Sequence, residues 1–140
     1  MRFFWHVAIC GCLVGSVAPA CAQADGPDLV QRVDVARALS RRCDFAGARS
    51  AMRNVLGDAT RQWKADDPGF LVIQQDLATF SNSLFDWKDA EEHARIAVDL
   101  AGRRFGAGSR EQAIVSQNLA VALSGQGRAA EANALFTRIE

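Results

Sequence analysis

The side chains that could carry chemistry are few and are scattered along the chain. His93 stands beside Glu92 in a charged stretch, and paired carboxylates occur at Asp66–Asp67 and Asp86–Asp89. A histidine beside a carboxylate is the pattern of a general acid and base, and two neighbouring carboxylates can serve hydrolysis. Whether either pattern is catalytic depends on the elements that hold these residues.

A structural role explains each of these groups from its sequence context. Both carboxylate pairs fall where a helix is expected to begin, and negative groups are favoured there by free amides and the helix dipole. His93 lies among charged residues of a predicted helix and is expected to be an exposed surface histidine. The chain has no Tyr, and it has no GxSxG motif, phosphate-binding Gly loop or CxxC motif. We therefore expect a protein that is not an enzyme and that has no cofactor and no catalytic or metal site.

The elements that hold these groups repeat at a fixed interval. Phe45–Arg49 aligns with Trp87–Glu91 and with Ala129–Asn133, and the separation of Phe45 from Trp87 defines the repeat period. Each unit predicts two antiparallel helices whose matched alanines let the backbones approach closely. These alanines are Ala36, Ala78 and Ala120 in the first helices, and Ala48, Ala90 and Ala132 in the second helices. The repeats are expected at about 28–66, 67–108 and 109–140, stacked on one another to bury their apolar faces.

Local signals predict where the later helices begin. Asp67-Pro68 predicts an N-cap followed by a first-turn proline, and Asp86 predicts the cap of the next helix. Ser109–Gln112 is a capping-box pattern. The aligned aromatic residues Trp63 and Phe105 are expected to plug the gaps between repeats.

The third repeat resembles a tetratricopeptide repeat (TPR) in Gln117–Ala120 of its first helix and in Gly127–Phe136 of its turn and second helix. The period, about 42 residues, is similar to that of the longer kinesin-light-chain type, and a repeat of the armadillo or HEAT type has a similar period and is the alternative. The TPR resemblance covers about residues 28–140. It implies an all-α fold, a right-handed superhelical solenoid of three antiparallel helix pairs. Cys43 departs from the pattern, since the third repeat has Gly127 in the aligned place.

The N-terminus has the pattern of a secretory signal peptide at residues 1–24. Met1-Arg2 is followed by an apolar run from Phe3 to Val17, and small residues offer cleavage near Ala22 or Ala24. The alternative of a membrane anchor is disfavoured, because the run is shorter than the ~20 residues that span a bilayer. We expect residues 25–140 to be exported to a bacterial periplasm or secreted. Membrane association is expected only if Cys21 is lipidated, which its preceding residues do not favour.

The charge and the cysteine content limit the kinds of partner that we expect. The chain has 16 Lys+Arg and 16 Asp+Glu, and loss of Arg2 with the signal leaves a net charge near −1. A net charge this small creates no strong electrostatic field that would favour the binding of nucleic acid. The only cysteine outside the signal region is Cys43, for which we expect a buried, inert thiol, with pairing between chains as the alternative.

In the resembled family the first helices line a concave groove that holds an extended peptide or a partner helix. The residues implied to bind a partner here are Arg37, Arg41, Gln75, Asn82, Gln117 and Asn118. Arg37 and Arg41 are expected to form the only cationic patch of the groove. The expected function is an exported, non-catalytic module that binds a protein or peptide. The alternative is the N-terminal scaffold of a larger enzyme or signalling protein. Leu135 or Phe136 of the last helix also offers an apolar surface through which the chain could form a homodimer.

Overall fold

The computed structural model describes residues 28–137, which form six α-helices and no strand. The helices are α1 Leu29–Arg41, α2 Phe45–Gln62, α3 Gly69–Ser83, α4 Trp87–Phe105, α5 Arg110–Gly125 and α6 Ala129–Phe136. The predicted all-α class is confirmed for this part of the chain. The predicted signal peptide, its expected cleavage sites and Cys21 lie outside the described residues, as does the side chain of Phe136.

Each helix packs against the next one in the chain, and α3 also packs against α1 and α5. The three first helices of the predicted pairs therefore lie side by side. The matched alanines are all buried, as the period predicts: Ala36, Ala48, Ala78, Ala90, Ala120 and Ala132. Met52, Ile73 and Leu77 are fully buried beside them and fill the space that the small residues leave.

The turns inside the three helix pairs share one backbone geometry. Cys43, Phe85 and Gly127 occupy equivalent positions of the three repeats and have φ of 63°, 58° and 78°. Glycine adopts this left-handed region freely, whereas a side chain with Cβ is strained there. The expectation that Cys43 is buried is wrong: Cys43 is exposed in the turn between α1 and α2.

The helices of the second pair begin close to the predicted residues, but their caps differ. α3 begins at Gly69, so Pro68 precedes the helix, and Asp67 Oδ1 accepts a hydrogen bond from the Gly69 amide at 2.8 Å. Asp86 directly precedes α4, yet its carboxylate binds Arg49 at 2.8 Å and makes no cap bond. The partner of the Asp86 carboxylate is therefore Arg49 of α2 and not the first amides of α4.

The start of α5 is held by Ser109 and Gln112. Ser109 Oγ accepts from the Gln112 amide at 3.2 Å, which confirms the first half of the capping box. Gln112 does not return the bond to Ser109, because its Oε1 accepts from the Gly108 amide and its Nε2 donates to the Val98 carbonyl. Gly102 permits this approach, since a Cβ there would lie 2.5 Å from Gln112 Nε2. The end of α4 is tied to the start of α5 in this way.

Only one of the two predicted aromatic plugs is formed. Trp63 packs edge to face on Phe70 at 5.6 Å between ring centroids, and its ring lies over Gly69. Phe105 is exposed instead, with the Arg104 guanidinium 5.6 Å from its ring centroid. The aligned partner of Phe70 is Gln112, which offers Phe105 no aromatic ring.

Candidate functional site

The surface that we call the first-helix surface comprises the residues of α1, α3 and α5 that face away from the second helices. All six predicted partner-binding residues lie on these helices. The helices are adjacent because α3 packs against both of the others. The structure therefore brings together a set that is widely separated in the sequence, from Arg37 in the first repeat to Asn118 in the third.

The two arginines of the predicted cationic patch differ in their surroundings. Arg37 Nε donates to Asp76 Oδ2 of α3 at 2.7 Å, so its charge is already compensated, whereas Arg41 is exposed. Burial raises the pKa of Asp76, and the bond from Arg37 opposes that rise. Arg37 and Arg41 therefore do not present two uncompensated cations, because the neighbouring helix supplies a carboxylate to Arg37.

Two of the predicted amides tie the helices together. Asn82 Nδ2 donates to the Asn118 carbonyl at 3.0 Å, and Asn118 Nδ2 donates to Thr79 Oγ1 at 3.1 Å. Gln75 is half-buried and Gln117 is exposed, and neither side chain has a hydrogen bond within the described residues. The amides free to meet a partner are therefore those of Gln75 and Gln117.

The sequence reasoning missed an apolar row on this surface. Val30, Val72 and Ile114 stand one repeat period apart, one near the start of each first helix, and are 59%, 36% and 46% exposed. The available signal was the recurrence of a β-branched apolar residue at the repeat period. Val121 lies two turns after Ile114 and is also exposed, which extends the row along α5. Exposed apolar residues in register on adjacent helices are typical of a binding surface.

The prediction of a surface location for His93 is wrong. The side chain is buried between α3 and α4, where Nδ1 lies 2.7 Å from Gln74 Oε1 and Nε2 lies 3.7 Å from Asp89 Oδ1. Burial lowers the pKa of His93, and the carboxylates of Asp89 and Glu92 partly oppose this. Sequence context failed because the neighbours of His93 in the chain are charged, whereas its neighbours in space are the packed faces of two helices.

The groups around His93 do not form a nucleophile and base. The Ser81 hydroxyl donates to Asp89 and not to the imidazole. Asp89 also binds Arg53 of α2, and Arg49 lies 3.6 Å away. Hydrogen bonds and charges lower the pKa of Asp89 against the effect of its burial. This network joins α2, α3 and α4 and has a structural role.

Two clefts lie near the loops between the helix pairs. The larger, about 460 Å³, lies where α5 begins and includes Gln112 and Ser116. The other, about 420 Å³, lies between the start of α3 and the end of α4 and includes Asp67 and Arg103. The polar atoms of Gln112 and Ser116 already bind within the chain, so the larger cleft has no converging free groups.

Residues 28–137 contain no group of three or more His, Cys, Asp or Glu side chains that could hold a metal ion. None of their helices has the length and apolar character needed to cross a membrane. Neither a protein-family model nor a curated protein sequence matches the chain.

Proposed function

We propose that this protein is a non-catalytic interaction module of the TPR type. Its helix pairs are arranged as a right-handed superhelical solenoid, and the first-helix surface binds a peptide or a partner helix. The observation that carries the proposal is the row formed by Val30, Val72 and Ile114. These residues recur at one place in every repeat and remain exposed.

The energetic argument rests on what each side chain gains when it is covered. Full burial of a valine or isoleucine side chain is worth about 1.5–3 kcal/mol, and these partly exposed residues would each gain a fraction of that. Isolated exposed apolar residues are ordinary, but a row in repeat register gives a ligand three matching contacts at once. If this surface only contacted solvent, polar residues would serve equally well at all three positions.

The polar groups of the first-helix surface suit an adaptable ligand. Gln75 and Gln117 each present an amide that both donates and accepts, so they can bind a peptide backbone without selecting its side chains. Arg37 is compensated by Asp76, whereas Arg41 is an exposed cation at the end of α1. We propose that the module acts after export, in the periplasm or outside the cell, with residues 1–24 removed near Ala22 or Ala24.

Selection from a random twelve-residue peptide library tests the proposal. Peptides selected on the wild-type protein should bind Val72→Asp and Ile114→Asp at least about tenfold more weakly, since a buried carboxylate costs more than about 1.4 kcal/mol. Val35→Asp is the matched control, because Val35 is 57% exposed on α1 but lies outside the row. Circular dichroism confirms that each variant is folded. Selected peptides that lose affinity to Val35→Asp alone, or that bind all variants equally, would contradict the proposal.

A further inference from the structure

We propose that the cleft of about 420 Å³ between the start of α3 and the end of α4 binds a small zwitterion with an apolar side chain, an amino acid or a dipeptide. None of Val30, Val72 and Ile114 lines this cleft, so the proposal is independent of the ligand of the first-helix surface. It follows from charges of opposite sign that face the cleft without pairing, and from the apolar residues that line it with them.

The two sides of the cleft carry opposite charges. Asp66 and Asp67 lie in the loop that leads into α3. Arg103 and Arg104 lie in the last turn of α4. Among the residues that the structure describes, no ion pair joins either aspartate to either arginine. The cleft therefore keeps two carboxylates and two guanidinium groups apart, with no net charge between them.

The contacts that these side chains already make leave them able to bind a ligand. Asp67 uses Oδ1, which accepts from the first amide of α3 at 2.8 Å. Arg103 pairs with Asp99 of its own helix at 2.7 Å, but the two side chains are 68% and 64% exposed, and such surface pairs contribute little. The Arg104 guanidinium lies 5.6 Å from the Phe105 ring centroid, and this contact leaves its N–H groups for a carboxylate.

The apolar lining of the cleft continues into a second cleft. Leu71 of α3 and Leu100 of α4 line the first cleft and are half-buried. Leu100 and Ala65 also line a cleft of about 310 Å³ that includes Trp63 and Ile96, so the two clefts adjoin. Small-molecule sites are typically clefts of about 300–1,000 Å³ with an apolar lining and a few polar groups. The adjoining cleft gives room for an apolar side chain beside the charged groups.

The mixed charge of the lining indicates which class of ligand fits. An anion would meet the two aspartates and a cation would meet the two arginines, so a ligand of one charge is repelled on one side. A neutral apolar molecule would desolvate these charges and offer them no partner. A zwitterion is attracted on both sides, because its ammonium group pairs with the carboxylates and its carboxylate with the guanidinium groups. Amino acids and dipeptides carry both charges together with a side chain for the apolar lining.

NMR titration of the protein with matched probes tests the proposal. The probes are L-phenylalanine and the dipeptide Ala-Phe, each also as its N-acetyl form, which lacks the ammonium group, and as its C-terminal amide, which lacks the carboxylate. At least one of the two zwitterions should bind and shift the indole N–H signal of Trp63. Its two blocked forms should bind at least about tenfold more weakly, a loss of about 1.4 kcal/mol. Alanine and Ala-Ala, which lack the large apolar side chain, should also bind more weakly. The tighter of phenylalanine and Ala-Phe identifies the source of the ligand.

Substitutions in the cleft test its location. Asp66→Asn and Arg104→Gln should each weaken binding of the zwitterion severalfold, because each removes one charge that the ligand pairs with. Asp34→Asn and Arg110→Gln are the matched controls, since both residues are exposed and lie outside the cleft, and they should change binding less than twofold. Circular dichroism confirms that each variant is folded.

Three outcomes would overturn the proposal. The first is that neither phenylalanine nor Ala-Phe binds at millimolar concentration. The second is that a blocked form binds as tightly as its zwitterion, which would show that one charge is not recognised. The third is that Asp66→Asn and Arg104→Gln weaken binding no more than the control variants do. None of these outcomes bears on the first-helix surface, whose residues are not varied.

Discussion

His93 is the single residue whose environment differs most from its sequence context. Its imidazole is held between Gln74 of α3 and Asp89 of its own helix, and the same carboxylate is paired with Arg49 and Arg53 of α2. Gln74 Oε1 can only accept, so Nδ1 carries the proton of the neutral ring. Burial disfavours a second proton on the ring and lowers the pKa of His93, and the carboxylates of Asp89 and Glu92 only partly oppose this.

This geometry predicts that acid destabilises the fold through His93. Its pKa is lowered on folding, so the unfolded chain binds the proton first as the pH falls from about 6.5. The stabilising contribution is fully present above that pH and is lost as the pH falls toward the folded-state pKa. The free energy of unfolding should therefore decrease between pH 7 and pH 5, by up to about 1.4 kcal/mol per pH unit.

The variant His93→Gln isolates this effect, because glutamine fills a similar space and cannot be protonated. Urea unfolding from pH 5 to pH 7.5 should give a flatter profile for the variant than for the wild-type protein. Parallel profiles would show that His93 titrates alike in both states and would contradict the assignment.

At the scale of whole helices, one of the ion pairs between neighbouring repeats recurs with its charges exchanged. Arg49 of α2 binds Asp86 at the start of α4 at 2.8 Å. At the equivalent positions of the next repeat, Glu91 of α4 binds Arg128 at the start of α6, also at 2.8 Å. The bond from Gln126, together with Arg95 and Arg128, lowers the pKa of Glu91 to about 2. The acid and the base have exchanged places between the two contacts. A repeat stacked on the wrong neighbour would therefore bring like charges together, which disfavours that arrangement.

The exchanged pair predicts compensation in a double variant. Glu91→Arg should lower the urea midpoint, because it sets a cation against Arg128 and Arg95. Adding Arg128→Glu should recover part of the loss, but not all, since the bond from Gln126 to Glu91 at 2.7 Å is gone. Urea melts of the two single variants and the double variant measure the coupling.

The exposed pair of Asp99 and Arg103 on α4 is the control. It is a single-helix pair at the surface, so Asp99→Arg should shift the midpoint much less than Glu91→Arg does. A loss of stability in the double variant that equals the sum of the losses in Glu91→Arg and Arg128→Glu is the contrary result. It would show that the two side chains do not couple.

For the molecule as a whole, stability is expected to vary along the chain. α4 packs against both α3 and α5, whereas the backbone of α6 packs only against α5 within the described residues. In an assembly where each unit contacts only its neighbours, the units with fewer neighbours open more easily.

Hydrogen exchange should therefore show faster exchange of the amides in α6 than of those in the centre of α4. The difference reflects local opening, so it should be seen at pH 7 without denaturant. Equal protection in both helices would mean that residues 28–137 unfold as one cooperative unit, which would contradict this expectation.

The sequence alone determined the class and placement of the helices. The repeat period places Ala36, Ala78 and Ala120 at equivalent positions, and close helix crossings require small residues there. Capping depends on neighbours in the chain, and Ser109 caps α5 as its local pattern predicts. These features follow from interactions within a few residues or from repetition, and both can be read from one sequence.

The candidate site was only partly predictable. The sequence placed Gln75 and Gln117 on the first-helix surface, but Arg37 was compensated by Asp76, a carboxylate of the next repeat. The apolar row was missed, because a valine in a helix is expected to be buried and its exposure depends on which helices cover it.

Only the tertiary structure decided which equivalent residues are covered. Val35 and Leu77 stand at the same place in their repeats, yet Val35 is 57% exposed and Leu77 is fully buried. α3 has helices packed on both sides, whereas within the described residues α1 has partners only in α2 and α3. Periodicity fixes which side of a helix a residue is on, but burial and charge compensation depend on the helices that stand against that side.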